Sequence, residues 1–258
     1  MGGLHPGHQY LIKKAKESKT KLNQIILVSI FVNPLQFSKG EDFKKYPRNI
    51  NRDAELAFSA GADAIWVPDY FEVFPGGEDS HFKIQVPKTL HNQLCGVERA
   101  GHFDGVATVV CKLFNIINPN KAFFGLKDYQ QFLIIQKLVA DLAFETELIG
   151  VETVREENGL ALSSRNSYLS KQELEHAATI FENLNEAAIK IQQGQKDFQD
   201  LEQQAIISIT EAGLQSDYFS ICHAQTLEPA KISDSDIVIL AAAYLGTTRL
   251  IDNIRISI

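Results

Sequence analysis

The chain has 258 residues, 45% hydrophobic and 22% charged, which excludes disordered, collagenous and low-complexity classes and predicts one large domain or two smaller ones. Its net charge of -7 is uneven. Residues 1–152 carry 17 basic and 17 acidic side chains, residues 153–258 carry 8 and 15, and the missing basic field argues against a nucleic-acid partner. No apolar run approaches the roughly 18 residues of a membrane span, no signal-peptide pattern opens the chain, and Cys95, Cys111 and Cys222 are odd in number and far apart, so a cytoplasmic protein without a disulfide framework or membrane partner is expected.

The chain opens on the glycine-rich turn Met1-Gly2-Gly3-Leu4-His5-Pro6-Gly7-His8, which leads into a helix over Gln9 to about Ser18. In a doubly wound sheet a strand feeds such a turn. Here none comes before it, so either the chain is truncated or another segment fills that slot. Gln24 to Val32 reads as a strand buried on both faces and ended by Asn33-Pro34. A helix follows over Asn49 to Ala60, stopped by Gly61, then short strands at Asp63–Val67 and Phe82–Val86. Asp104 to Ile117 has helical apolar spacing. Ala122–Phe124 is a strand, Asp128–Leu142 a helix capped by Asp128, and Glu147–Val154 a strand. This alternation predicts an α/β domain over 1–152, with a parallel sheet covered on both faces and its first strand missing.

The pattern then changes. Ser170-Lys171-Gln172-Glu173 matches a capping box, and its helix runs toward Gly194. A second helix spans about Phe198 to Ala212. Strands follow at Tyr218–His223, Ile237–Tyr244 and Arg249–Ile256, the last two joined by the turn Gly246-Thr247-Thr248. Residues 153–258 therefore read as a smaller α+β domain, its helices followed by an antiparallel sheet.

Four segments carry possible chemistry. In His5-Pro6-Gly7-His8, glycine allows close backbone approach and the helix N-terminus favours an anion, so two histidines three apart could donate to a phosphate; the plain alternative is a surface turn with incidental histidines. Gly125-Leu126-Lys127-Asp128 follows a strand, where Lys127 would meet a phosphate or carboxylate, with Gln131 one turn along; an ordinary strand-to-helix turn is the alternative. Leu162-Ser163-Ser164-Arg165 offers hydroxyls and a guanidinium suited to phosphates, or else is a polar loop. Gln36 in Asn33-Pro34-Leu35-Gln36-Phe37 could bind a hydroxyl or carboxylate, or belong only to a strand-ending turn. Arg99-Ala100-Gly101-His102-Phe103 reads as the start of a helix.

These stretches, with Lys45–Arg48, Gly101–Val110, Phe123–Gln131, Leu160–Asn166 and Thr248–Asn253, occur in the order in which they stand in the pantoate–β-alanine ligases (the pantothenate synthetase family), and the whole chain resembles that family. The resemblance implies a Rossmann-like domain with a C-terminal lid domain. It implies ATP-dependent joining of (R)-pantoate to β-alanine through a pantoyl adenylate, with release of AMP and pyrophosphate. Met1, Gly2, Gly3, Leu4, His5, Pro6, Gly7 and His8 would line the ATP site, with His8 as proton donor and His5 on a phosphate. Gly125, Leu126, Lys127 and Asp128 would contact ATP, Lys127 near the reacting phosphate. Val154 would touch the adenine side, and Leu162, Ser163, Ser164 and Arg165 would close over the phosphates. Gln36 and Gln131 would hold pantoate, and Gln36 would also place β-alanine. Magnesium is implied with ATP, without an assigned ligand beyond the candidate Asp53, and a homodimer is implied. The alternatives are another nucleotidylyltransferase of the same superfamily and a truncated form that binds ATP without turnover.

Overall fold

The computed structural model describes residues 1–38, 41–77 and 80–258. They form two compact units. The first comprises Met1–Asn92, Gly96–Leu126 and Gln131–Glu152, the second Gln93–Cys95, Lys127–Gln130 and Thr153–Ile258.

The first unit opens with α1 (Pro6–Glu17), β1 (Leu27–Ser29), α2 (Ile50–Ala60) and β2 (Ala64–Trp66). Short helices α3 (Tyr70–Val73), α4 (Lys88–His91) and α5 (Cys95–Glu98) lead to α6 (His102–Ile117), β3 (Lys121–Gly125), α7 (Tyr129–Asp141) and β4 (Glu147–Val151). Helix α2 begins where the Asn49 side chain accepts from Arg52 N–H, and it ends at Gly61, whose φ of 107° suits a residue without a Cβ. Its Ala57 and Ala60 pack with Leu4, Ile12, Ile26 and Ile30. The apolar stripe of α6, at Val106, Val109, Val110 and Phe114, packs with Phe74, Ile135 and Leu138.

Strand pairing is parallel, as the alternation of elements predicts. Leu27 lies opposite Ala64 and Ser29 opposite Trp66; Lys121 to Gly125 lie opposite Glu147 to Val151. The expected single sheet is instead two parallel pairs, β1 with β2 and β3 with β4. The strand expected over Gln24–Val32 is only three residues long and Leu27 is exposed: Ile26 N–H is taken by the Asp63 carboxylate at 2.8 Å rather than by a neighbouring strand. Phe82–Val86 is not a strand either. Its N–H groups go to α6 side chains, Ile84 to Thr108 Oγ1 at 2.9 Å and Val86 to Asp104 Oδ1 at 2.8 Å, so the extended look of the sequence is satisfied without a ladder. The helix expected to start at Asp128 starts at Tyr129, and Asp128 ends a 3₁₀ turn over Leu126–Asp128.

The second unit contains α8 (Lys171–Ala177), α9 (Thr179–Gln192), α10 (Phe198–Glu211) and the antiparallel strands β5 (Gln215–His223), β6 (Asp236–Leu245) and β7 (Thr248–Ser257), in the order β5-β6-β7. The capping box at Ser170 and Glu173 is present in both directions. The single helix expected behind it is split at Ala178, whose N–H reaches back three residues to Glu175, a 3₁₀ step. Alternate residues of β6, from Ile237 through Ile239, Ala241 and Ala243 to Leu245, pack with Ile180, Leu184, Ile191, Leu201 and Ile209 of α9 and α10. Gly246 and Thr247 close the β6–β7 hairpin, with Gly246 at φ 58°.

A buried ion pair ties the start of this unit to β7. Arg155 donates to both carboxylate oxygens of Asp252, and also to the carbonyls of Gly159 and Asn253 at 3.1 and 3.2 Å. Its guanidinium lies 3.9 Å from the centroid of the Phe181 ring. Removing the acid leaves a desolvated cation, a loss of roughly 3–5 kcal/mol. The exposed pair Arg255–Asp236 is worth about 1 kcal/mol or less. Asp252→Ala is expected to lower the urea midpoint far more than Asp236→Ala; equal shifts would refute the assignment.

Candidate active site

The opening turn of the first unit is fixed by one buried carboxylate. Asp53, on the first turn of α2 and 1% exposed, accepts from Gly3 N–H at 2.9 Å and Leu4 N–H at 2.7 Å. Gly2 and Gly3 take φ of 93° and 62°, and a Cβ on Gly2 would stand 3.1 Å from Asp53 Oδ2 and 3.3 Å from Ile30. The turn therefore needs glycine both for its backbone and for its fit over the carboxylate.

This turn delivers His5 to the N-cap of α1, with Pro6 in the first helical turn. His5 Nδ1 accepts from Gly7 N–H at 3.2 Å, and His8 Nδ1 accepts from His5 N–H at 3.3 Å, so two imidazoles form a reciprocal capping box. Their ring centroids are 4.0 Å apart. A backbone N–H only donates, so both Nδ1 atoms are acceptors and each neutral ring carries its proton on Nε2. No acidic residue stands in the first turn of α1, leaving the positive end of the helix dipole uncompensated from that turn. Two Nε2–H donors at such a terminus suit an anion. Gly125, at the end of β3, is close to α1: a Cβ there would meet Leu11 at 4.0 Å.

Gln36 ends a 3₁₀ turn, Pro34–Gln36, capped by Asn33. Asn33 is 1% exposed; its Oδ1 accepts from Leu35 N–H at 3.2 Å, and its Nδ2 donates to Gly105 carbonyl at 3.1 Å and Gln36 Oε1 at 3.2 Å. Gln36 therefore keeps Nε2 as its remaining side-chain donor. The turn rests on α6 where only glycine fits, since a Cβ on Gly105 would stand 2.1 Å from Leu35 oxygen. Gln131, partly buried, lies on the first turn of α7. The helical spacing expected to join it to Lys127 is interrupted by the 3₁₀ turn.

The second unit holds the remaining candidates. Lys127 carbonyl accepts from Asn253 Nδ2 of β7 at 2.9 Å, and Tyr129 hydroxyl donates to Ala224 carbonyl at 2.9 Å. Gln130 bridges Cys95 N–H and Gln93 carbonyl. Val154 carbonyl accepts from Leu162 N–H at 2.9 Å, next to an antiparallel bridge between Arg155 and Ala161. This narrow ladder presents Ser163, whose hydroxyl accepts from Arg165 N–H at 3.2 Å as the cap of a 3₁₀ turn over Ser164–Tyr168. Its own O–H is left to donate elsewhere.

Asp53, the candidate magnesium ligand, uses both oxygens on backbone N–H groups. Among the described residues no three His, Cys, Asp or Glu side chains gather as a metal-binding group, so these residues do not form a protein cage for a divalent ion. The sequence reading missed Asn33, Gly105, Asn253 and the anchoring role of Asp53. Each works through contacts to residues distant along the chain, which no local pattern announces.

The family model described as pantoate-beta-alanine ligase matches residues 1–255. A bifunctional pantoate ligase/cytidylate kinase of Prochlorococcus marinus (strain NATL1A) is 58% identical over 98% of the chain, which spans only 48% of that protein's length. A pantothenate synthetase structure from Thermus thermophilus superposes with a TM-score of 0.92 at 38% identity, covering 98% of this chain and 90% of that one. A pantoate-beta-alanine ligase from Francisella tularensis, complexed with beta-gamma ATP and beta-alanine, gives 0.80 at 36% identity over 98% and 86% of the two chains.

Nitrogen-15 spectra of the imidazoles test the geometry of the opening turn. His5 and His8 are both expected to show bare Nδ1 and protonated Nε2 near neutral pH, and a protonated Nδ1 in the major form of either ring would refute the reciprocal cap.

Proposed function

Because the chain belongs to the pantoate–β-alanine ligase family, we propose that the protein joins (R)-pantoate to β-alanine with ATP, releasing AMP and pyrophosphate. The observation that carries this reading is the double-histidine cap at the N-terminus of α1, in which His5 Nδ1 and His8 Nδ1 each accept a backbone N–H.

The chemistry follows from the weakness of a carboxylate as an acylating agent. The pantoate carboxylate oxygen attacks the ATP α-phosphorus, the bond to the bridging oxygen breaks, and pyrophosphate leaves. The resulting acyl adenylate has AMP as its leaving group. The β-alanine amine then attacks the acyl carbon, loses a proton, and AMP departs with the carboxyl oxygen it acquired. In the first step negative charge grows on the α-phosphate oxygens, where His8, with His5 beside it, and Lys127 donate. Removing one such preorganised donor typically costs about 10²–10³ in rate.

In this reading residues 1–8 and Gly125–Asp128 bind ATP, Val154 borders the adenine, and Leu162–Arg165 bind the outer phosphates through the Ser163 O–H, Ser164 and the Arg165 guanidinium. Gln36 offers Nε2 to pantoate and helps to place β-alanine, and Gln131 completes the pantoate contacts. Magnesium enters as the counter-ion of the triphosphate, which is its usual way of binding in nucleotide sites. The reading also takes the protein to be a cytoplasmic homodimer, which cell fractionation and sedimentation check. No helix among the described residues is long and apolar enough to cross a membrane.

The deciding experiment measures AMP release with ATP, pantoate and β-alanine, each omitted in turn. Release is expected only with all three, and release that ignores pantoate would overturn the reading. His8→Ala is expected to slow adenylate formation by about 10²–10³ with the fold retained; near-normal turnover would remove His8 from the mechanism. Lys127→Ala is expected to slow pyrophosphate release more than the later transfer to β-alanine. Equal loss in the two half-reactions would refute its place beside the phosphate.

A further inference from the structure

Gln36 is gripped through its backbone as well as its side chain. Its carbonyl oxygen accepts from His102 Nδ1 at 2.6 Å and from Arg99 Nη2 at 3.3 Å. Arg99 also donates from Nη1 to His102 Nε2 at 2.8 Å, and it holds both Glu41 oxygens, through Nε at 2.7 Å and Nη2 at 2.8 Å. A guanidinium only donates and a carbonyl only accepts, so the protons have one consistent arrangement. His102 is neutral, its proton on Nδ1 and directed at Gln36 carbonyl, its Nε2 filled by Arg99. Burial by itself would raise the Glu41 pKa, but the hydrogen bonds and charge of Arg99 hold it below the ordinary value.

One residue thus has three constraints. Two donors fix its carbonyl, and Asn33 fixes its amide oxygen at 3.2 Å. Satisfying a backbone carbonyl needs only one donor; two donors braced by a bidentate ion pair define where the residue stands.

Resting on the ligase reading, we infer that Glu41, Arg99 and His102 form a positioning relay that sets the Gln36 side chain for pantoate. They touch no reacting atom. His102 has both ring nitrogens engaged and is not a candidate acid or base; Arg99 spends its fork on Glu41, His102 and the Gln36 carbonyl. Loss of the relay releases the carbonyl and lets the Gln36 amide swing from the geometry that the bound acid requires.

The test is a double-mutant cycle between His102 and Gln36 in the full chain, read as KM for pantoate, KM for ATP and kcat. His102→Leu is expected to raise KM for pantoate about tenfold or more, the effect of losing one well-placed hydrogen bond or two, and to leave KM for ATP unchanged. His102→Asn, whose amide N–H can still reach the carbonyl, is expected to recover most of the loss. In a Gln36→Ala background His102→Leu is expected to add little. A similar rise in both KM values, or the same penalty with and without Gln36, would overturn the relay and leave His102 a general structural residue. If His102→Leu does not fold, Arg99→Lys, which keeps the charge but not the fork, takes its place with the same expected rise; an unchanged KM for pantoate would overturn the relay. A wild-type protein that makes no AMP from pantoate overturns the ligase reading, and the relay with it, before any variant is compared.

Discussion

The candidate site of the first unit depends on one carboxylate held away from water. Asp53 is 1% exposed and is satisfied by the N–H groups of Gly3 and Leu4. A buried carboxylate without donors is costly, so the α2 fold and the shape of the opening turn are conditions of each other. From that bond the rest follows in sequence. The turn sets the backbone of His5, the backbone of His5 engages His8, and the two side chains define the start of α1. Asn49 and Gly61 fix the ends of α2, and so the height at which Asp53 meets the turn. Residues near position 50 thereby govern the orientation of imidazoles near position 5.

The second unit solves a similar problem with a different device. Its candidate stretches, Lys127–Asp128 and Leu162–Arg165, lie in 3₁₀ turns and a short bridge rather than in long regular elements. Strand β7 supplies their order: Asn253 holds the Lys127 carbonyl, and its neighbour Asp252 holds Arg155, which stands at the base of the short ladder carrying Leu162 and Ser163. Adjacent residues on a strand point to opposite faces, so two consecutive positions can serve two segments far apart along the chain. The core beneath, from alternate residues of β6 and the helices α9 and α10, keeps that strand in register.

Much of this was legible in the sequence because it is local. The Ser170–Glu173 box, the Asn49 and Gly61 boundaries of α2, the apolar stripe of α6 and the β6–β7 hairpin all rest on residues within a few positions of one another, where propensity and periodicity act. The motif residues were also legible as motifs. What the sequence did not disclose is how they are held. Phe82–Val86 has the composition of a strand, yet its donors go to Asp104 and Thr108 on a helix; Gln24–Val32 loses its first ladder bond to Asp63. In both cases a side-chain oxygen replaced a strand partner, and periodicity carries no information about such replacements. Asn33 and Asn253 were hidden for the same reason: an asparagine in a turn or strand looks ordinary until its distant carbonyl partner is known.

The three histidines of the first unit's candidate segments show how backbone chemistry assigns function. His5 and His8 meet backbone N–H groups and must offer a bare Nδ1, which sends their protons to Nε2. His102 meets a backbone carbonyl and must offer Nδ1–H, while Arg99 fills its Nε2. The same ring is therefore set in opposite tautomers within one unit. An imidazole with an Nε2–H directed from a helix N-terminus can donate to charge that grows on a phosphate. An imidazole bonded at both nitrogens can only transmit position. Sequence alone gives each of them simply as a histidine in or next to a glycine-containing turn; the direction of one backbone hydrogen bond separates a ring that offers Nε2–H from one bonded at both nitrogens.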